Sequence, residues 1–185
     1  MKALKTIWNA VTTVLVAAVV ILAILLVGVR VVGLTPYVVL SGSMEPIYHT
    51  GSLIYVKKVD PFTIEEGTAI TFMLDEDTIA THRVVQVVPD ETDATVVRFQ
   101  TKGDANDAVD GSLVHYKNVI GTPIFSIPYL GYVSNYITNP PGMYIGFTVL
   151  GLIILMLFAP DLLKAADAAD KKDAEKKQKG SHEAE

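Results

Sequence analysis

Two serines, a histidine and a set of aspartates in this 185-residue chain are of the types needed for acyl-transfer chemistry. Ser41 and Ser43 lie in the segment SGSMEP, between two runs of valine, leucine, isoleucine and tyrosine that favour strands. A serine hydroxyl is a weak nucleophile until a base takes its proton and donors stabilise the oxyanion. The two serines are therefore either the residues of a simple turn or part of a hydrolytic site.

A hydrolytic site also needs a base, and the middle of the chain holds His49, His82 and His115. His82 lies in the strand-like run TIATHRVVQVV, whose stiffness would hold an imidazole in one orientation. His49 and His115 lie in polar, loop-like segments. A lone histidine in a strand is more often structural than catalytic. Lys57 and Lys58 follow the serines too closely to be convincing bases.

Acids are concentrated in the segment TKGDANDAVDGS, which contains Asp104, Asp107 and Asp110. By themselves these aspartates could belong to a solvated turn or to a weak cation site. The segment lacks the central glycine and the final glutamate of an EF-hand loop. No metal site is therefore predicted.

Composition excludes several other kinds of chemistry. The chain has no cysteine, so thiol nucleophiles and thiolate metal sites are excluded and the fold depends on its core alone. Between Thr35 and Gly142 there are six Lys and Arg residues against thirteen Asp and Glu residues. This acidic balance argues against binding to nucleic acid.

Two charge-free segments are long enough to cross a bilayer, which needs about 20 apolar residues in a helix. They are residues 7–29 and the shorter run 143–159. The first could be a cleaved signal peptide, but it exceeds the usual apolar length of about 7 to 15 residues and ends in Gly28-Val29-Arg30. The second could be a buried core helix, but Tyr144 and the charged tail favour a span. We predict two transmembrane helices.

Charge around these segments predicts their orientation, because positively charged flanks stay in the cytoplasm. Lys2 and Lys5 precede the first segment without any acid, and six lysines follow the second. We expect both termini on the cytoplasmic side of the cell membrane and the acidic middle region outside. The predicted order is a cytoplasmic N-terminus (1–6), a transmembrane helix (7–32), an extracytoplasmic β catalytic domain (33–142), a second transmembrane helix (143–159) and a charged cytoplasmic tail (160–185).

The middle region is predicted to be all-β, because short β-rich runs alternate with turn-forming residues and no comparably long run has a helical apolar period. Its last part, residues 123–142, is apolar and carries Tyr129, Tyr132 and Tyr136. These rings belong at the membrane interface or in the β core, and the two placements are compatible. The expected strands are residues 37–40, 52–59, 68–74, 78–88, 95–100 and 118–127.

In the charged tail, acids precede lysines by four residues, as Asp167 precedes Lys171, which suits a solvated helix. The alternative is a disordered tail that improves solubility and fixes the topology. We favour the disordered tail and assign no chemistry to it.

Three motifs together resemble those of type I signal peptidases: S-G-S-M-x-P at residues 41–46, H-R-V at 82–84 and T-K-G-D-x-N at 101–106. More narrowly, they resemble the branch found in archaea, the endoplasmic reticulum and some Gram-positive bacteria, because His82 stands where ordinary bacterial enzymes have a lysine. The resemblance covers roughly residues 35–133. It implies a signal-peptidase-like β domain with a membrane anchor.

The resemblance also implies a role for each matching residue. Ser43 matches the nucleophile, and Ser41 matches the residue whose side chain forms the oxyanion hole together with the Ser43 backbone N–H. His82 matches the general base, and the family's two aspartates, six residues apart, fit Asp104 and Asp110. We expect Asp110 to orient His82 and Asp104 to support the site. The sequence departs here from the animal enzymes, so the choice among the three aspartates stays open.

The function that this resemblance implies is a membrane-bound serine endopeptidase that removes N-terminal signal peptides from secretory preproteins after small residues. The mechanism would be of the Ser-His-Asp type, without metal or cofactor. Partners would be secretory preproteins and the lipid bilayer, with the protein-translocation machinery as a further candidate. Two alternatives stay open: a membrane-anchored β domain that binds a ligand or subunit, and an inactive homologue. A binding module needs no combination of Ser43, His82 and an acid, which favours the enzyme.

Overall fold

The computed structural model describes residues 2–90, 93 and 96–182, without the side chains of residues 2, 4–5, 160–163, 167 and 170–182. The chain forms two compact units, one of residues 1–21 with 141–185 and one from Leu22 to Pro140. The helices are α1 (Lys2–Leu26), α2 (Leu130–Thr138) and α3 (Gly142–His182), with 3-10 turns at Gly28–Val32, Pro61–Thr63 and Tyr116–Asn118. The strands are β1 (Leu34–Val38), β2 (Leu53–Lys57), β3 (Ala69–Met73), β4 (Ile79–Pro89), β5 (Val97–Lys102), β6 (Val114–His115) and β7 (Val119–Ile127).

The first unit contains residues 2–21 of α1 together with α3. Thr12 is buried and its hydroxyl donates to the Trp8 carbonyl oxygen at 2.9 Å, which satisfies this polar group inside an apolar helix. The same hydroxyl oxygen lies 3.4 Å from the sulfur of Met156. Segments Thr6–Leu26 and Gly142–Ala159 are both long and apolar enough to cross a membrane.

Helix α3 continues well past its apolar part. Its backbone is helical from Gly142 to His182, where a disordered tail was the favoured expectation. Alanines and acids placed four residues before lysines favour helix, which gives a physical reason for the difference. The predicted Asp167–Lys171 pair lies outside the described side chains.

The second unit is a curled seven-stranded sheet with the order β1-β2-β7-β3-β4-β5-β6. Its strand pairs are antiparallel, and the long strand β7 pairs with β2 along one part and with β3 along another. The prediction of a β-rich region is confirmed, and each of the six expected strands has a counterpart. The two-residue strand β6 was not expected.

The main core of the sheet lies between β3, β4, β5 and β6. Burial alternates along β5, where Val97, Phe99 and Thr101 are buried and the residues between them are partly exposed. This is the period of two expected of a strand with one covered face. Phe99 packs with the buried members of the core cluster, which are Ile64, Ile70, Phe72, Val84, Val97 and Val114.

Two strand segments near the serine-containing turn have a free edge. Strand β1 lies at the end of the sheet. Strand β4 pairs with β5 only from Arg83 onward, so residues 79–81 are paired with β3 alone. Unpaired backbone groups on such edges are available to another extended chain.

Helix α2 corrects the all-β prediction for residues 123–142. Strand β7 ends at Ile127, and Leu130–Thr138 is helical before Asn139 and two prolines, which disfavour continuation of a helix. Gly51, at φ +83°, leaves room for the Tyr132 ring, because a Cβ at residue 51 would collide with it. Tyr129, Tyr132 and Tyr136 are all more than half exposed, so they do not fill the β core.

Candidate active site

Ser43 lies half-exposed in the turn between β1 and β2. Burial and backbone hydrogen bonds hold the residues around it in place. Met44 is 2% exposed and anchors the turn in the protein interior. The Glu45 N–H donates to the Gly42 carbonyl oxygen and the Tyr48 N–H to the Met44 carbonyl oxygen, both at 3.0 Å. A nucleophile on a rigid support is positioned at low entropic cost when a substrate binds.

A second loop, residues 103–110, packs directly against this turn. The Ala105 N–H donates to the Ser43 carbonyl oxygen at 2.9 Å. A Cβ at Gly103 would lie 2.6 Å from that oxygen, so the close approach of the two segments requires glycine here. The serine turn and the acidic loop, distant in sequence, are therefore locked together.

His82 lies on β4 opposite Ile70 of β3, with its ring edge-on to Phe72 at a centroid separation of 6.2 Å. Its Nε2 atom is 3.2 Å from Ser43 Oγ, and its Nδ1 atom is 2.6 Å from Asp110 Oδ2. The side chains of His82 and Asp110 are 16% and 22% exposed. Partial burial of this kind strengthens their electrostatic interaction relative to water.

The direction of each hydrogen bond follows from the chemistry of the partners. An ionised Asp110 can only accept, so Nδ1 of His82 carries a proton and donates it. In the neutral imidazole this leaves Nε2 without a proton, ready to accept the one on Ser43. Ser41 Oγ lies 3.3 Å from Ser43 Oγ, and with the Ser43 proton directed to His82, Ser41 is the donor of that pair.

Among the described residues, the Ser43 N–H donates no hydrogen bond. Together with the nearby Ser41 hydroxyl it forms a pair of donors beside Ser43 Oγ. Preorganised donors of this kind are what an oxyanion hole requires.

Asp104 makes a different contact from the one made by Asp110. Its two carboxylate oxygens accept from Nε and from a terminal nitrogen of Arg83, at 2.8 and 2.7 Å. The other terminal nitrogen of Arg83 donates to the Gly67 carbonyl oxygen at 2.7 Å. The hydrogen bond to Asp104 raises the pKa of Arg83 further above its already high value. Asp104 thus ties the 103–110 loop to β4 without contacting the imidazole.

The remaining candidates lie elsewhere. Asp107 is exposed. His49 is 61% exposed and lies 3.8 Å from Glu45, which is too long for a hydrogen bond. His115 accepts from the Lys117 N–H, and its ring packs at a tilt against that of Tyr116, so its contacts are local. The sequence left three aspartates open, and the structure places only Asp110 at the histidine.

Sequence reasoning missed the residues that hold Asp110. Thr101 donates its hydroxyl to Asp110 Oδ2 at 2.6 Å, and Gln100 donates its amide to the Asp110 carbonyl oxygen at 2.7 Å. The alternation of buried and partly exposed residues along β5 places Thr101 in the interior. A buried hydroxyl needs a hydrogen-bond partner, so this pattern could have pointed to Thr101. Arg83 stood in the quoted motif H-R-V, but no contact was assigned to it.

A groove of about 490 Å³ adjoins Ser43 and is bordered by both free strand edges. One wall is formed by Val38 at the end of β1 and by Val39 and Leu40 just beyond it, and the other by residues 79–81 of β4. The Val39 N–H and carbonyl are bonded to Ser52 and Gly51. Because successive residues of an extended chain point their backbone groups to opposite sides, those of Val38 and Leu40 face outward.

Comparison with known proteins gives a family assignment for this fold and site. Residues 11–124 match the family described as signal peptidase, peptidase S26. The chain is 37% identical over 124 residues to signal peptidase I W of Bacillus subtilis, an alignment that covers 63% of this chain and 64% of that protein. It is 33% identical over 128 residues to the human signal peptidase complex catalytic subunit SEC11C, covering 64% of this chain and 66% of that protein. The chain thus spans just under two thirds of the length of these relatives.

The match includes the serine turn, β4 and the 103–110 loop, which are the elements that build the site. It covers more than half of the chain. The chain therefore belongs to the signal peptidase family, peptidase S26.

Proposed function

We propose that this protein is a membrane-bound serine endopeptidase that removes N-terminal signal peptides from secretory preproteins. The observation that carries the proposal is the hydrogen-bonded series Ser43–His82–Asp110 beside a groove with two free strand edges. Membership of the signal peptidase family supports it. A binding module gains nothing from a nucleophile, a base and an orienting acid at these distances.

The first half of the reaction forms an acyl-enzyme. Nε2 of His82 takes the Ser43 proton as Ser43 Oγ attacks the scissile carbonyl carbon, and Asp110 stabilises the resulting imidazolium. The oxyanion receives hydrogen bonds from the Ser41 hydroxyl and the Ser43 N–H. Collapse of the tetrahedral intermediate breaks the C–N bond, and His82 gives its proton to the departing amine of the mature protein.

The second half releases the signal peptide. Water, deprotonated by Nε2 of His82, attacks the acyl carbon on Ser43. The new tetrahedral intermediate breaks at the ester bond, and His82 returns the proton to Ser43 Oγ. The products are the regenerated enzyme and a carboxylic acid, which loses its proton to solvent, and each proton taken by the imidazole is given back.

Backbone pairing with the two free edges would hold the substrate extended. Val38 and Leu40 offer outward-facing backbone groups on one side, and residues 79–81 offer the unpaired edge of β4 on the other. Pairing of this kind supplies affinity through main-chain hydrogen bonds, and pockets between the enzyme's side chains select alternate residues of the substrate. Small residues before the scissile bond, as in the A-x-A pattern of secretory signals, fit such spaces.

The two apolar helical segments are proposed as membrane spans, with both termini in the cytoplasm and the β domain outside the cell membrane. Their length and outward-facing apolar side chains support this. The lysines that flank both segments favour the orientation. Preproteins, the lipid bilayer and the translocation machinery are the partners proposed from this arrangement.

The test is cleavage of a preprotein by the full-length protein in detergent or liposomes. We expect Ser43→Ala and His82→Ala to lower kcat by about 10⁴-fold or more, because each removes a member of a cooperative unit. His49→Ala is the matched control, since this exposed histidine contacts neither Ser43 nor Asp110.

Cleavage by Ser43→Ala at the wild-type rate would exclude Ser43 as the nucleophile. Wild-type protein that binds preprotein without cutting it would instead identify an inactive homologue or a binding module.

A further inference from the structure

Thr101 lies at an inward-facing position near the end of β5, with 0% of its surface exposed. Its hydroxyl donates to Oδ2 of Asp110 at 2.6 Å, a short hydrogen bond to a charged acceptor. A hydroxyl at this position therefore has a specific partner, and that partner contacts the proposed catalytic base.

The hydrogen bonds from Thr101 and His82 meet on the same atom. Oδ2 of Asp110 accepts from Nδ1 of His82 and from Oγ1 of Thr101, both at 2.6 Å. Two donors from different strands fix a carboxylate oxygen in place, because movement toward one weakens the bond to the other. The imidazole is thereby held in the tautomer that accepts from Ser43.

The backbone of Asp110 is also held by β5. Its N–H donates to the Thr101 carbonyl oxygen at 2.8 Å, and its carbonyl oxygen accepts from the Gln100 amide at 2.7 Å. With the main chain fixed at both ends, the remaining freedom of Asp110 is rotation of its side chain. The Thr101 hydroxyl restricts that rotation.

We propose that Thr101 is a positioning residue for the reaction: its hydroxyl holds the Asp110 carboxylate in the orientation that meets His82. The inference rests on the proposed function of Ser43, His82 and Asp110. Arg83, the sequence neighbour of His82, is paired with Asp104. Thr101 acts through Asp110 and touches no substrate.

The test replaces Thr101 with valine, which keeps the shape and the β-branched side chain, and with serine, which keeps the hydroxyl. Thr71→Val is the matched control, because Thr71 is equally buried in the same sheet and its hydroxyl, among the residues that the structure describes, bonds only to Thr81, at 2.8 Å. We expect Thr101→Val to lower kcat about tenfold or more with KM within about twofold, and Thr101→Ser to recover most of the rate.

A spectroscopic measurement makes the test independent of catalysis. In protein with ¹⁵N-labelled histidine, the resonance of the proton shared between His82 and Asp110 is assigned by its absence in His82→Ala. We expect Thr101→Val to shift or remove this resonance, and Thr71→Val and Thr101→Ser to retain it. This result can be obtained even from a variant that does not cleave.

Two results would overturn the proposal: kcat of Thr101→Val within about twofold of that of Thr71→Val, or equal losses in Thr101→Ser and Thr101→Val. Ser43→Ala is measured in the same assay. If Ser43→Ala cleaves normally, the proposed function fails, whereas an inactive Ser43→Ala with a normal Thr101→Val rejects the role of Thr101 alone.

Discussion

Asp104 and Asp110 lie in one loop, six residues apart, yet their carboxylates bind different groups. Asp110 accepts from the imidazole of His82, and Asp104 accepts twice from the guanidinium of Arg83. Since His82 and Arg83 are neighbours on β4, the loop is attached to that strand at two adjacent points. One attachment orients the imidazole of His82, and the other holds the loop.

This difference predicts different effects of the two asparagine variants. We expect Asp110→Asn to lower kcat by about 10³- to 10⁴-fold while the protein stays folded, because the neutral amide no longer stabilises the imidazolium or fixes its tautomer. Asp104→Asn should mainly lower the melting temperature, with kcat within about tenfold, since the Arg83 pair is partly solvated. Preprotein cleavage and thermal unfolding of both variants check this. Equal losses of kcat would contradict the separation of roles.

The residues that could be assigned only from the structure are those whose hydrogen-bond partners depend on strand register. Ser43, His82 and a choice of three aspartates could be found from motifs and from the chemistry of each residue type. The family resemblance favoured Asp110, but the residues alone could not choose among the three aspartates, because that choice requires the path of the 103–110 loop back to Thr101. Hydrogen bonds between residues 28 and 39 positions apart leave no local pattern in the sequence.

At the scale of elements, the turn between β3 and β4 is ordered by one aspartate. Asp75 Oδ1 accepts from the N–H groups of Asp77 and Thr78, at 3.0 and 2.7 Å. The side chain of Thr78 and these backbone N–H groups lower the pKa of Asp75 below its ordinary value. The turn directly precedes residues 79–81, so its order supports one wall of the groove.

A pH dependence of stability follows from this lowered pKa. A carboxyl group whose pKa is lower in the folded state contributes stability that is complete above its unfolded pKa of about 3.9 and is lost as pH falls through the folded value. We expect Asp75→Asn to abolish that contribution. The difference in unfolding free energy between wild type and Asp75→Asn should therefore shrink as the pH is lowered from 6 to about 3.

Urea unfolding of the two proteins at several pH values measures this difference. Asp107→Asn is a suitable control, because Asp107 is exposed. A difference between wild type and Asp75→Asn that grows on acidification would contradict the assignment.

The strands were predictable because alternating apolar residues and turn formers are local signals, as along β5. Helix α2 was not predicted, because its nine residues carry aromatic and β-branched side chains that also suit a strand. Its boundary signal was the pair Pro140-Pro141. For the tail of α3, the spacing of acids before lysines did indicate a helix, but the disordered alternative was preferred.

At the scale of the whole molecule, the charge distribution predicts how the chain is exposed to protease. In sealed vesicles or intact cells, protease added outside should cut the acidic region between Thr35 and Gly142 and leave the lysine-rich tail intact. Detergent should make the tail accessible as well, which provides the control. An epitope tag placed at the C-terminus shows whether the protease has removed the tail. Loss of that epitope from outside without detergent would contradict the proposed topology.

The two free strand edges beside Ser43 have a consequence for turnover. Residues 79–81 extend over only about 10 Å, so an extended chain can form few main-chain hydrogen bonds there before β5 takes over the edge at Arg83. In the proposed reaction, a short ladder would hold a peptide weakly, so that the peptide would leave quickly once the scissile bond is broken. Full pairing of β4 would close the groove, whereas a longer open edge would retain the product and attract unfolded chains. In the proposed reaction, the point at which β5 joins β4 would therefore limit how long cleaved peptide stays bound.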